Sequence, residues 1–208
     1  MAYFNKNWSL DHIIEEFQFL SYSLDAEEKT RHLVAPVTDF LEQLKAMKAA
    51  KSGSRAEQLR FTAMIHAADR ALDLALSGLS GQARMLERED PTMTLLGTLL
   101  PEGLKAVTKY SGRGVEAEVL IARSLLGALS GMAAASKLTE PMAKVAAACD
   151  KAEVALDQLR AADAQVERNR LSENDLVERA YTTYHAIHAD LVKLVNNNKR
   201  LINTFFLT

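Results

Sequence analysis

The sequence predicts an all-α protein, an antiparallel up-and-down bundle of four to five long helices plus short helices. Alanine and leucine, which enter helices at little entropic cost, are abundant, whereas aromatic residues make up only 6% of the 208 residues. Apolar residues recur at spacings of three and four. No stretch alternates with a period of two for long enough to predict a strand. We expect a single domain spanning residues 1–208.

The first helix is predicted to begin after Ser9, whose side chain can cap it, with an apolar face of Leu10, Ile13, Ile14, Phe17 and Leu20. The run Asp25-Ala26-Glu27-Glu28 resembles a capping box and predicts the start of a second helix. Pro36 should kink this helix or delay its regular start. Its apolar positions have the spacing of a helix bundle: Leu33, Val37, Phe40, Leu44 and Met47.

A break is predicted at Ser52 and Gly53, and the capping box Ser54-Arg55-Ala56-Glu57 then predicts a third helix that runs to about Arg88. Its apolar face is expected at Phe61, Met64, Ile65, Ala68, Leu72, Ala75 and Leu79. Asp90-Pro91 has the form of a capping residue followed by a first helical residue. A helix over residues 92–110, broken near Pro101, should follow.

The run Ser111-Gly112-Arg113-Gly114 is the strongest loop signal in the chain. The helix after it, over residues 115–138, is apolar almost all round and is therefore predicted to be central. Thr139-Glu140-Pro141 begins another helix. Ser172-Glu173-Asn174-Asp175 is a capping signal for the last helix, which extends to about Phe206.

Glycine and asparagine interrupt three of these helices. The glycines within residues 75–81 and 125–131 lie in helix interiors, where each costs about 1 kcal/mol relative to alanine and so indicates close helix–helix approach. Asn198 falls between Val195 and Ile202 on the buried side of the last helix. A polar residue there can fix helix register or oligomeric state, and fraying of the helix accounts for the same pattern.

Charge and cysteine content narrow the possible partners and compartment. Lys and Arg total 25, Asp and Glu total 27, and the net charge of −2 predicts no surface for nucleic acid. The only cysteine, Cys149, is expected to be a buried side chain in a reducing cytosol. The first 20 residues lack the apolar core of a signal peptide, and the longest charge-free run, Ser124 to Ser136, is too short to span a bilayer. A cytoplasmic protein without a membrane partner is expected.

The histidines are candidate metal ligands, because helical bundles often house metal centres. The chain has no Glu-x-x-His pair, so a ferritin-type site is not predicted. His185 and His188 share one helix face and, together with Asp190 or His66, have the side chains for a zinc site. A histidine at the edge of an apolar stripe is the stronger interpretation of this pair. No metal and no cofactor are therefore predicted.

His66, Asp69 and Asp73 form a stripe on the third helix, and a histidine–carboxylate pair is a common acid–base catalyst. The same stripe is also typical of a solvated face, because it continues through polar residues: Arg55, Gln58, Arg84 and Glu87. The sequence has no nucleophile elbow, no P-loop and no zinc-protease or dinucleotide motif. It predicts no catalytic residue and no enzyme.

Three segments of the chain form a distinctive series: Ala67-Ala68-Asp69-Arg70-Ala71-Leu72-Asp73, Lys109-Tyr110-Ser111-Gly112-Arg113-Gly114, and the last helix from Arg179-Ala180-Tyr181 to Asn198-Lys199-Arg200-Leu201-Ile202-Asn203. In these segments the chain resembles a family of bacterial helical-bundle proteins of unknown function. The resemblance extends over about residues 54–205. It implies a bacterial, cytosolic bundle and brings with it no activity, cofactor or catalytic residue.

These observations favour a non-catalytic bundle that acts through protein–protein interaction or self-association. The alternative is a bundle that holds a small apolar ligand or a metal near His185 and His188. A third hypothesis is a membrane-active helical protein that hides residues 124–136 in its soluble form.

Overall fold

The all-α class is confirmed. The structure is a computed structural model that describes residues 4–95 and 114–207, and within these ranges it contains helices and no strand. Five α-helices are described: α1 (Leu10–Ala26), α2 (Val34–Glu89), α3 (Gly114–Ser130), α4 (Thr139–Leu194) and α5 (Lys199–Asn203). Two 3₁₀ helices, Glu28–Leu33 and Ala133–Lys137, lie between them. The helix expected over residues 92–110 and most of the loop at residues 111–114 lie outside the described residues.

The contacts of the chain fall into two compact units. Unit 1 comprises Met1–Ala56 and Ala164–Thr208, and unit 2 comprises Glu57–Asp163. Both α2 and α4 are 56 residues long, and each contributes to both units. The single domain expected from the sequence stays a prediction.

The amino-terminal helix begins as the sequence predicts. Ser9 adopts an extended conformation, and its hydroxyl accepts a hydrogen bond from the backbone N–H of His12 at 3.2 Å. The predicted apolar face of α1 is buried. The capping signal at residues 25–28 does not begin the next α-helix, because a 3₁₀ helix intervenes and α2 begins only at Val34. Pro36 therefore lies in the first turn of α2, where its missing N–H removes no intrahelical hydrogen bond.

Unit 1 has a continuous apolar core between α1, α2, α4 and the carboxyl-terminal segment. The apolar positions predicted for the second helix belong to this core: Leu33, at the end of the 3₁₀ helix, and Val37, Phe40 and Leu44 of α2 are buried in it, and Met47 packs against it. Phe17 of α1 lies 5.2 Å from Phe40, measured between ring centroids. The remaining buried residues include Leu20, Leu24, Ala180, Tyr184, Leu191, Ile202, Phe205 and Phe206.

Two predicted helix breaks are wrong. The helix α2 continues through Ser52 and Gly53, and α4 continues through residues 172–175. The residues that suggested caps make other contacts instead. The Ser54 hydroxyl donates to the carbonyl oxygen of Lys51 at 3.1 Å, and the Lys51 ammonium lies 2.6 Å from the Glu173 carboxylate of α4. Contacts between the two long helices thus outweigh the local stop signals.

Asn169 of α4 reinforces the contact at the same level. It is buried, and its amide nitrogen donates to the Ala50 carbonyl oxygen at 3.1 Å and to the Ser54 hydroxyl at 2.9 Å. Its amide oxygen accepts from Gln165 at 3.0 Å. A buried amide with all of these partners fixes the alignment of α2 with α4 in unit 1.

The asparagine run near the end of the chain forms a turn. Asn196 and Asn197 adopt left-handed backbone conformations, with φ of 50° and 58°. Asn198 is exposed, and its side chain caps α5 by accepting from the N–H of Leu201 at 3.3 Å. The expectation that Asn198 lies on the buried side of a continuous helix is therefore wrong, because α4 ends at Leu194.

A buried glutamate holds the last residues against unit 1. Glu16 of α1 accepts from the Tyr184 hydroxyl at 3.1 Å and from the backbone N–H of Leu207 at 3.3 Å. Burial raises the pKa of Glu16, while the hydrogen bond from Tyr184 opposes that rise. Burial and the neighbouring Glu16 also raise the pKa of Tyr184. The tyrosine is thus a hydrogen-bond donor to the glutamate.

Unit 2 has its own core between α2, α3 and α4. Its buried residues include Ala68, Leu72, Leu76, Leu79, Val119, Ala122, Leu125, Leu129, Val145, Cys149 and Ala152. Cys149 is buried as predicted, and burial raises the pKa of its thiol. The helix α3 ends at Ser130, shorter than predicted, and Leu120 on it is exposed. Among the described residues, none of the helices combines the length and apolar character needed to cross a membrane.

Replacing Asn169 with alanine should lower the free energy of unfolding by about 1–3 kcal/mol, because buried hydrogen-bonding groups lose their partner. Urea denaturation followed by circular dichroism measures this loss. The control is Asn174→Ala, at an exposed position on the same helix. Equal stability of the two variants would contradict the role assigned to Asn169.

The Tyr184→Phe variant should be about 1–2 kcal/mol less stable than wild type, because Glu16 loses its side-chain donor while the ring is retained. The same denaturation experiment tests this. Tyr22→Phe, which removes the hydroxyl of an exposed tyrosine of α1, should leave stability unchanged. A Tyr184→Phe variant as stable as wild type would show that the hydrogen bond is dispensable.

Candidate functional site

The three histidines that are candidate metal ligands lie in two different units of the structure. His66 is exposed on α2 in unit 2, whereas His185 and His188 are half-buried on α4 in unit 1. Within residues 4–95 and 114–207, no group of three or more His, Cys, Asp or Glu side chains has an arrangement that could hold a metal ion.

Aromatic side chains pack against His185 and His188. The ring of His185 lies 4.3 Å from that of Tyr181, and the ring of His188 lies 5.6 Å from that of Phe206, measured between centroids. Burial lowers the pKa of His188, and the neighbouring His185 lowers it further. His188 is therefore a neutral side chain at the edge of the apolar core near pH 7.

The structure separates His66 from Asp69 and Asp73, which the sequence places on one helix face. His66 is exposed, but Asp69 and Asp73 are half-buried and interact with Glu118 of α3. Glu118 is only 7% exposed, and within the described residues its Oε1 atom has no hydrogen-bond partner. Three carboxyl groups thus meet between α2 and α3 in unit 2.

Burial, with further contributions from Asp73 and Asp69, raises the pKa of Glu118 to about 8. Like charges at short distance cannot all ionise, so near pH 7 the proton resides on Glu118. The protonated carboxyl can donate a hydrogen bond to an aspartate. Such a pair can hold a proton, which is one requirement of acid–base chemistry.

Sequence reasoning missed Glu118 although a signal for it exists. Glu118, Ala122, Leu125 and Leu129 follow each other at spacings of four, three and four, and all of them are buried. A glutamate in the first position of such an apolar series is the signal of a buried carboxyl group.

A second feature of unit 2 is an exposed apolar face of α2, here named the α2 stripe. It consists of seven exposed residues at alternating spacings of three and four: Met64, Ala67, Ala71, Leu74, Gly78, Gly81 and Met85. Met64, Leu74 and Met85 are 39%, 75% and 54% exposed. This spacing is the heptad pattern of a helix that packs against another helix.

A groove of about 530 Å³ runs beside the amino-terminal half of the α2 stripe, between α2 and α4. Its walls are almost entirely apolar. They are formed by Met64, Ala67, Ala68 and Ala71 of α2 and by Asp150, Lys151, Val154 and Ala155 of α4. The side chains of Asp69, Asp73 and Glu118 do not line this groove.

The glycines of the stripe do not support the predicted close approach of helices. A Cβ atom added at Gly78, at Gly81 or at Gly127 of α3 would meet no atom within 4 Å. At Gly131 the nearest atom is the carbonyl oxygen of Ala128, at an ordinary distance of 3.7 Å. The expectation of close helix–helix approach is therefore wrong at these positions, because Gly78, Gly81 and Gly127 face open space and Gly131 has only an ordinary contact with a neighbouring carbonyl group.

The comparisons with known proteins found no match: no family model, no curated protein and no solved structure is significantly similar to the chain. The resemblance to a bacterial helical-bundle family therefore stays a prediction.

Replacing Glu118 with glutamine should change how stability depends on pH. The folded-state pKa of Glu118 lies above the unfolded value of 4.5, so the wild-type protein loses stability as pH rises from about 5 to about 8. The neutral glutamine does not lose a proton. The variant should therefore gain roughly 2–4 kcal/mol relative to wild type between pH 5 and pH 8.

Urea denaturation at pH 5, 6.5 and 8 measures this difference. The control is Glu116→Gln, two residues earlier on α3, where the carboxylate is exposed and lies 2.8 Å from Arg160. A stability difference between Glu118→Gln and wild type that stays constant from pH 5 to pH 8 would show that Glu118 is not the group that titrates.

Proposed function

We propose that this chain is a non-catalytic binding protein and that it binds a helix of a partner protein along the α2 stripe of unit 2. The exposed apolar groove beside the stripe is the observation that supports this proposal. Single exposed apolar residues are normal on a protein surface. Seven consecutive exposed heptad positions without a charged residue are unusual on a protein surface. Contiguous apolar surfaces of this kind are typical of interaction sites.

The form of the groove favours a helix as its occupant. An amphipathic helix inserts side chains at positions i, i+3, i+4 and i+7 into a groove between two helices. Along about six turns, the α2 stripe places a large residue, Met64, Leu74 or Met85, before and after each pair of small residues, and such a surface has both knobs and holes for helix packing. Gly78 and Gly81 leave room for large partner side chains. A partner at this position would offset the roughly 1 kcal/mol that each interior glycine costs the free helix.

The proposal places the protein in the cytoplasm. Cys149 is a free, buried thiol, which is common in reducing compartments. The proposal assigns no catalytic role to Asp69, Asp73 and Glu118, which do not line the groove.

A photo-crosslinking amino acid at position 74 tests this proposal in the cells that produce the protein. We expect discrete adducts from position 74, and also from positions 71 and 78, because all three lie on the α2 stripe. The control is position 171, an exposed leucine of α4 in unit 1. An adduct of twice the chain mass would identify self-association.

A Leu74→Glu substitution should abolish adduct formation from position 78, whereas Leu171→Glu should not. Adducts that form equally from positions 74 and 171, or from neither position, would refute the proposal.

One observation favours a second function, the binding of a small apolar ligand. The groove volume of about 530 Å³ falls within the range of roughly 300–1,000 Å³ that is usual for ligand pockets. The residues that form its walls are more open to solvent than those of such pockets, since Val154 is 56% exposed. Native mass spectrometry of the untagged protein separates the two functions, because a retained ligand adds mass to the folded protein and not to the denatured chain.

A further inference from the structure

We infer that the partner helix is acidic: its apolar face is flanked by carboxylates that meet Arg70, Arg84 and Lys151. This inference rests on the proposed function and specifies the chemistry of the partner. Arg70 and Arg84 each directly precede a residue of the α2 stripe and are exposed. Lys151 is exposed on α4 and lines the opposite wall of the groove.

The two arginines lie on one flank of the stripe. They are 14 residues apart, which is two heptads and about 21 Å along the helix. None of the ion pairs in the described part of the chain involves Arg70, Arg84 or Lys151. The three cations are thus available to an external anion on both sides of the apolar surface.

The carboxylates near the groove already have partners within unit 2. Asp150 and Glu153 bind Arg123 of α3, with 2.8 Å between Arg123 Nη2 and Glu153 Oε2. Asp69 and Asp73 interact with Glu118. Asp69 and Asp73 keep their charge but are half-buried. The exposed charged side chains beside the groove that have no ion-pair partner in the described part of unit 2 are therefore the three cations, and they attract a helix with carboxylates on its flanks.

The arrangement also defines the spacing of the partner's charges. In a heptad packing, residues next to the apolar positions of one helix meet the corresponding residues of the other. Carboxylates two heptads apart on one flank would reach Arg70 and Arg84, and a carboxylate on the other flank would reach Lys151. Between the two arginines, Gly78 and Gly81 leave space for large apolar side chains.

Two other occupants fit the charges less well. In a twofold antiparallel contact of two stripes that is centred near Ser77, Arg70 of one copy would lie near Arg84 of the other, and like charges at such positions are unfavourable. An anionic membrane would attract the cations, but a flat bilayer contacts the convex side of a helix. Here part of the apolar surface is the concave strip between α2 and α4.

Binding of designed peptides to the full chain tests the inference. Three labelled helical peptides of about four heptads share one apolar face of leucine and carry glutamate, glutamine or lysine on both flanks. Fluorescence anisotropy should show the glutamate peptide binding about tenfold tighter than the glutamine peptide, and the lysine peptide binding weakest. The preference should shrink between about 0.05 and 0.5 M salt, because salt screens exposed charges.

Charge-reversal variants identify the cations that bind the charged side chains of the peptide. The double variant Arg70→Glu, Arg84→Glu should lose the preference for the glutamate peptide and favour the lysine peptide. The control is the double variant Lys199→Glu, Arg200→Glu on α5, which changes the net charge equally at exposed positions of unit 1. It should behave like wild type.

Each other outcome overturns the inference. Equal binding of the three peptides would support helix binding but refute the acidic partner. If the Arg70→Glu, Arg84→Glu variant still preferred the glutamate peptide, the acidic partner would also be refuted. If no peptide binds while position 74 gives adducts in cells, the proposed function stands and this inference fails. If no peptide binds and position 74 gives no adducts, the proposed function and this inference both fail.

Two controls address the competing occupants. Flotation with vesicles of phosphatidylserine and phosphatidylcholine that depends on Arg70 and Arg84, without peptide binding, would assign the cations to a membrane. A dimer in sedimentation velocity that Leu74→Glu dissociates would assign the stripe to a second copy of the chain. Either result would refute the acidic partner helix.

Discussion

The packing of α2 against α4 is the interaction on which the rest of the structure depends. Each of these helices has 56 residues, and each supplies buried side chains to the cores of both units. A helix of this length is stable in water mainly because an apolar face is buried along it. The contacts of Lys51 with Glu173 and of Asn169 with Ala50 and Ser54 maintain that packing in unit 1 at residues where the local sequence favours a turn.

The buried polar groups divide into two kinds. Asn169 and Glu16 receive hydrogen bonds that offset much of the cost of removing them from water. Within the described residues, Glu16 and Glu118 each have one buried carboxyl oxygen without a hydrogen-bond partner, Oε2 and Oε1, but Glu118 in addition lies beside two aspartates. Its environment disfavours the charged form, so the carboxyl retains its proton near pH 7. Asn169 fixes the alignment of two helices and Glu16 holds the last residues of the chain, whereas Glu118 makes the stability of unit 2 depend on pH.

The α2 stripe connects the fold to the proposed function. One face of α2 builds the core of unit 2, and a second apolar face of the same helix, including Leu74, remains in water. Exposed apolar surface and interior glycines both reduce the stability of an isolated protein. The proposed partner helix accounts for their coincidence on one stripe bordered by Arg70 and Arg84, where a Cβ atom added at Gly78 or Gly81 would meet no atom of the described residues within 4 Å.

The sequence by itself determined the all-α class, the capped start of α1 at Ser9, the buried stripe from Leu33 to Leu44 and the burial of Cys149. These features are local, because capping and apolar periodicity depend on residues within a few turns of each other. Of the candidate site, the sequence indicated Asp69 and Asp73 but not Glu118.

Only the tertiary structure decided whether Gly53 would interrupt α2, which carboxyl group would join the two aspartates, and which apolar face of α2 would be left exposed. Each of these depends on contacts between residues far apart in the chain. Sequence periodicity shows that a helix has an apolar face, but the neighbouring helices determine whether that face is covered.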